Sequence, residues 1–224
     1  MAANDNLLLN FLKPVILILA FTFRPDLSNF KPGKWIKRKY RESVRFLNLQ
    51  YFAMRGEKHH EQIVWKLLKK ELKIVPFKHE VNESEKTVYT KFHLAPNILG
   101  RFWYMMFYDR LFFRAIIIPN YPVEQTTNIF ILAQHFNNQV NHGSVVVDVP
   151  LNHIEFRTTY HFPEIIFTKN AIEKHIHYHF NISCDIYWAF NKMLTENEEP
   201  AYIIAELIAK REVELVESEE MAEN

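Results

Sequence analysis

The sequence predicts an α+β fold, an antiparallel sheet of about five to six strands with helices packed on it and further helices at the C-terminus. Three observations point there. Apolar residues recur at helical spacing from Glu57, again after Pro122, and again after Thr168. Strand-like runs fill the two intervals between those helices. Hydrophobic residues make up 48% of the 224, with 19 Phe, 10 Tyr and 4 Trp among them, enough for one full-sized core.

Ile63, Val64, Leu67, Leu68 and Leu72 alternate with lysines at helical spacing, so 57–72 reads as an amphipathic helix. In 87–94, Val88, Thr90, Phe92 and Leu94 alternate with Tyr89, Lys91 and His93, the pattern of a half-buried strand. Residues 73–81 supply its partner, and Pro76 argues for an edge position. The runs 102–108 (FWYMMFY) and 111–118 are apolar on both faces and read as adjacent central strands joined at Asp109-Arg110. Ile129, Leu132, Ala133, Phe136 and Val140 then define a helix that stops near Gly143. In the hairpin that follows, a two-residue loop at Leu151-Asn152 would pair Val149 with Ile154, Val147 with Phe156 and Val145 with Thr158. It would also set Asp148 opposite Glu155 on a solvent face, with Arg157 diagonal. Thr168 is placed to cap a helix carrying Ile172, Ile176 and Phe180, with further helices over 184–194 and 200–216 and a frayed acidic end at 217–224.

Charge divides the chain into three parts. Residues 1–58 hold 11 Lys/Arg against 4 Asp/Glu, residues 191–224 hold 3 against 10, and all 11 histidines lie between. The domain plan is a basic extension over 1–56, an α+β domain over 57–200, and an amphipathic helix with an acidic tail over 201–224. The extension contains an apolar run, 7–23, interrupted by Asn10, Lys13 and Pro14 and followed by the basic stretch 31–45. A spanning helix needs about 20 mostly apolar residues, so the run is marginal as an anchor. The expected location is cytoplasmic, with membrane association through 7–23 as the alternative. A further alternative starts translation at Met54.

Net charge of +1 supplies no field to steer the molecule onto nucleic acid, and four scattered glycines cannot build a phosphate-cradling loop. One cysteine, Cys184, excludes internal disulfides and thiolate-rich zinc sites, and its apolar setting predicts an inert thiol. His175, His177 and His179 invite a metal reading, but only His175 and His179 share a helix face. Without a third ligand the triplet reads as a solvated helix face. Asp148 and Glu155 are the candidate catalytic carboxylates, because close like charges raise one pKa, although strand surfaces carry such pairs routinely. Ser144 lacks the turn that exposes a nucleophile. No catalytic, cofactor or metal site is expected.

The aromatic strand is the most informative feature. With helices on one sheet face, either Trp103, Met105 and Phe107 or Phe102, Tyr104, Met106 and Tyr108 point the other way. Aromatic and methionine surfaces are the material of protein contacts. Trp103, Met105 and Phe107 are the protein-contact candidates, unless the helices after 184 fold back over that face.

The order of elements, the stretch 130–138 (FILAQHFNN) ending its helix at Phe136-Asn137, the hairpin stretch 144–160 (SVVVDVPLNHIEFRTTY), and the closing helices 172–194 with Asp185 resemble the YbjN-domain family of bacterial proteins. The resemblance covers about 57–200. The turn Asp148-Val149-Pro150-Leu151-Asn152 departs from the family's pattern by lacking a glycine, and residues 1–55 and the acidic tail have no counterpart. The resemblance implies a fold like that of type III secretion chaperones, frequent dimerisation, a role in regulating sensory transduction, and no assigned catalytic residues. The expected function is accordingly non-enzymatic, a regulatory or chaperone-like protein that binds another protein or a second copy of itself. The alternatives are an enzyme using Asp148, Glu155 or a histidine, and a membrane-tethered scaffold using 7–45.

Overall fold

The computed structural model describes residues 56–74 and 78–223. The run 7–23, the basic stretch 31–45 and Met54 lie outside the described residues. Glu57–Asn224 forms one compact unit, and the fold is the α+β arrangement that the periodicities predict. A six-stranded antiparallel sheet has the order β1-β2-β3-β4-β6-β5, with β1 His79–Asn82, β2 Thr87–Ala95, β3 Ile98–Phe107, β4 Arg110–Ile118, β5 Ser144–Asp148 and β6 His153–His161. Helices α1 (Glu57–Ile74), α2 (Thr126–Gln139), α3 (Phe162–Phe167), α4 (Ala171–Glu196) and α5 (Pro200–Glu223), with a 3-10 turn over Val123–Gln125, complete the described elements. Among the described residues no helix is long and apolar enough to cross a membrane.

Helix α4 lies across the sheet, and its fully buried His179 meets the rings of Phe102, Phe113 and Phe156. Helix α2 packs beside β5, and α5 covers α2 and α4 with buried Ile203, Ile204 and Leu207. Strands β2, β3 and β4 therefore send alternate residues into the helical layer, with Val88, Phe92, Phe102, Tyr104, Leu111 and Phe113 all buried. The alternation read in 87–94 corresponds to this burial. In α1 the buried stripe is Val64, Trp65, Leu68 and Leu72, while Ile63 and Leu67 are half-buried. Trp65 turns inward because its Nε1 donates to Glu83 Oε2 at 2.8 Å, fastening the β1–β2 turn to α1.

Loops account for the differences from expectation. The β3–β4 turn is Tyr108-Asp109, one residue earlier than the Asp109-Arg110 expected, since Phe107 already pairs with Arg110. Tyr108 takes φ 53°, and the Asp109 carbonyl accepts the Phe162 amide at 3.0 Å, which ties this turn to the end of β6. In the β5–β6 hairpin the register is displaced by two residues: Asp148 pairs with His153, Val147 with Ile154 and Val145 with Phe156. The loop is Val149–Asn152. Pro150 has no amide to give a ladder. Asp148 Oδ1 accepts the Leu151 amide at 3.0 Å, and Asn152 takes φ 49° in place of a glycine. A slide of two leaves every side chain on its expected face. Asp148 nevertheless does not oppose Glu155, whose partner is Val146. Gly143 enters β5 with φ +98°, and a Cβ there would stand 2.6 Å from the Arg157 carbonyl oxygen.

Helix α4 runs unbroken where two helices were expected, and its N-cap is Asn170, at φ 55°, with no side-chain capping bond, in place of Thr168. The helix runs on through 184, and Ser183 Oγ donates to the His179 carbonyl at 2.6 Å, which satisfies its hydroxyl inside the helix. Asn197, at φ 55°, ends it, and Pro200 begins α5, as residues that abandon and start helices should. Helix α5 extends to Glu223, past the expected limit of 216, since its end is built of helix-forming Glu, Leu, Ala and Met.

Candidate protein-contact surface

With α4 and α5 on the Phe102–Tyr104 side, the fold-back of the last helices over the other face does not occur. Among the described residues no helix packs on the face that carries Trp103, Met105 and Phe107. Trp103 and Met105 are half-buried, and Phe107 is 61% exposed.

Strand register organises this open face into rows. One row runs Glu80, Tyr89, Trp103, Arg114, Arg157, Ser144 across all six strands. The Tyr89 and Trp103 rings lie 5.1 Å apart, tilted by 40°. The Arg114 guanidinium sits 5.5 Å from the Trp103 ring, and Lys91 Nζ 5.9 Å from that of Tyr89. The next row holds Asn82, Thr87, Met105, Phe112 and Thr159. Aromatic and cationic side chains thus stand side by side, able to bury apolar area and to pair with acidic groups.

Arg114 and Arg157 are directly opposed in the ladder, an arrangement that costs energy unless an acid intervenes. Glu155 is that acid. It is fully buried, with Oε2 on Arg114 and Oε1 on Arg157, and His153 Nε2 stands 3.5 Å from Oε2. The expected solvent-face carboxylate is therefore an enclosed clamp, its oxygens engaged by two arginines, while Asp148 holds the hairpin turn. His153 Nε2 lies 3.8 Å from Asp148 Oδ2.

The other candidates serve the interior. His179 is core, not solvated: its ring stacks on Phe156, Nε2 lies 3.3 Å from the Phe156 carbonyl, and burial pushes its pKa down to about 3. His175 stacks on Tyr160 at 3.6 Å, and burial lowers its pKa. Only His177 of the triplet is exposed. Among the described residues no three His, Cys, Asp or Glu side chains gather as a metal site would require. Burial, aided by Asp185, pushes the Cys184 thiol up to about 11, so it stays protonated at neutral pH. Asp185 accepts Arg211 Nε at 3.1 Å and Nη2 at 2.5 Å, linking α4 to α5. Asn137 accepts the Val145 amide at 2.7 Å and donates to the Val145 carbonyl at 3.1 Å, closing the outer edge of β5.

Sequence reasoning missed Tyr89, Arg114 and Glu80 as neighbours of Trp103. The alternation in 87–94 carries the signal for Tyr89, but aligning it with Trp103 requires the β2–β3 register, which the turn at Asn97 (φ 65°) and a bulge between His93 and Ala95 determine.

No protein-family profile matches the chain, and no curated protein sequence matches it.

Proposed function

We propose that this is a non-enzymatic regulatory or chaperone-like protein of the cytoplasm, working by binding another polypeptide through its open sheet face. The observation that carries the reading is the row of half-buried Trp103 and Met105 and exposed Phe107, on which no described helix packs, set among Lys91, Arg101 and Arg114. Large apolar side chains amid cations are the composition of contact surfaces, and each anchor buried by a partner contributes about 1.5–3 kcal/mol. The likeness to YbjN-domain and secretion-chaperone folds on which the reading draws rests on the order of elements.

Light scattering on the full chain tests this. A mass above the 26.9 kDa of one chain is expected, returning to that value when Trp103 and Phe107 both become serine. A 26.9 kDa particle whose captured polypeptides in a pull-down are unchanged by the double substitution overturns the reading.

A further inference from the structure

The open face sets two pairs of cations directly opposite each other, and the chain neutralises only one of them. Arg114 and Arg157 share Glu155. Lys91 of β2 and Arg101 of β3 are likewise cross-strand partners, both are exposed, and among the described residues neither forms an ion pair. Opposed like charges destabilise a ladder unless an anion comes between them. On the same side of β3, two residues to either side of Arg101, stand the exposed Leu99 and the half-buried Trp103. This part of the face therefore offers uncompensated positive charge next to apolar surface.

The complementary composition lies at the end of α5. Arg211 ties that helix to Asp185 of α4, and the helix then continues over residues 212–223. This stretch holds six glutamates and no lysine or arginine, with Val213, Leu215, Val216 and Met221 between them. Glu212 and Val213 are both exposed. Helix α5 packs on α2 and α4, in the layer on the opposite side of the sheet from Lys91 and Arg101. It runs unbroken, so the acidic end of a given chain is held away from that chain's own open face. The acidic end of another copy is under no such restraint.

We propose that the open face receives the acidic end of α5 from a second copy of this chain, in a reciprocal pair in which each copy supplies one helix end and one face. Charge, length and composition select that occupant. A glutamate brought between Lys91 and Arg101 does for them what Glu155 does for Arg114 and Arg157. A basic segment would add a third cation, and a wholly apolar one would enclose two charges without a partner. The helix end spans about 18 Å, which matches the run of about 20 Å along β3 from Arg101 to Phe107. Its apolar residues have Leu99, Trp103 and Phe107 to cover. Two-fold exchange closes the assembly at two chains, because every face and every helix end is then used. This inference rests on the open face being a protein-contact surface and names the partner.

The test is the mass in solution of full-length chains with charges reversed on one side of the contact at a time. One variant carries Lys91→Glu/Arg101→Glu, the other Glu217→Lys/Glu219→Lys/Glu220→Lys. The parent is expected at twice the 26.9 kDa of one chain, and each variant alone at 26.9 kDa. An equimolar mixture of the two variants is expected to return to the doubled mass, since each face then meets a helix end of opposite charge. Misfolded chains would not regain a defined pair on mixing. The parent alone gives a second measurement. Its doubled mass should fall to that of one chain as salt rises to about 1 M, where charges are screened beyond about 3 Å. A parent of 26.9 kDa at low salt, a doubled mass kept by either variant, or a mixture that stays at 26.9 kDa overturns the pairing. A doubled mass that Trp103→Ser/Phe107→Ser abolishes but reversal of the helix end does not would overturn this inference and leave the contact surface standing.

Discussion

Glu155 shows how one residue can carry the electrostatics of a face. Arg114 and Arg157 are cross-strand partners, and the carboxylate lies between them. Glu155→Gln would remove that charge and leave two opposed cations. The arginines retain 30% and 39% side-chain exposure, so water recovers part of the loss. The expected cost is about 1–3 kcal/mol, less than for a wholly enclosed pair. Urea denaturation measures it, and Arg114→Met in the Glu155→Gln background should return part of it by relieving the repulsion. His179 makes a prediction about pH. Its folded pKa, about 3, lies well below the 6.5 of a free histidine, so the unfolded chain takes up a proton that the folded one refuses. Its contribution is fully present above about pH 6.5 and is lost as pH falls from there toward 3. Between pH 7.5 and 4.5 this amounts to about 2–3 kcal/mol. His179→Leu should reduce the difference in unfolding free energy between those two pH values by about that much, and His175, whose pKa is lowered likewise, should leave a residual slope.

Among the elements, the β5–β6 hairpin shows where local pattern suffices. Valines at 145 and 147 with Ile154 and Phe156 dictate which face is apolar; Val145, Ile154 and Phe156 are buried and Val147 half-buried. The pattern cannot choose between registers two residues apart, because both put the same side chains inward. The Asp148 side chain and left-handed Asn152 make that choice, by stabilising a longer loop. The outer edge of β5 then depends on Asn137, whose physical task is two hydrogen bonds to Val145. Asn137→Leu should cost about 1–3 kcal/mol. Hydrogen exchange should show the Val145 amide losing protection more than amides of β2 and β3, and uniform loss would contradict a clasp local to this edge. Helix α4 illustrates the converse limit. Its apolar spacing was legible, but its continuity through Asn181 and Ser183 was not.

For the whole molecule, the decisive asymmetry is between the two sheet faces. Helix α5 completes the covered side, its buried Ile203, Ile204 and Leu207 shielding α2 and α4. Each such side chain is worth about 1.5–3 kcal/mol, so together they approach the whole stability of a typical domain. A chain ending at Asn197 should therefore show a lowered denaturation midpoint and bind a hydrophobic dye. An unchanged midpoint would make α5 an appendage. On the uncovered side, Trp103, Met105 and Phe107 were legible as an alternating set within an apolar run. Their exposure was not, since strand 102–108 is apolar on both faces and could equally have been enclosed.

Period and punctuation along the chain determined the kind of each element, the order in which the elements follow, and which residues of a strand share a side, because those properties follow from local backbone geometry. Tertiary packing alone decided which side of the sheet the described helices cover, that Glu155 is enclosed between two arginines, and that His179 lies in the core. Those outcomes depend on contacts between residues far apart in sequence, such as Phe102 with His179 and Arg114 with Glu155, and no periodicity encodes a partner at that distance.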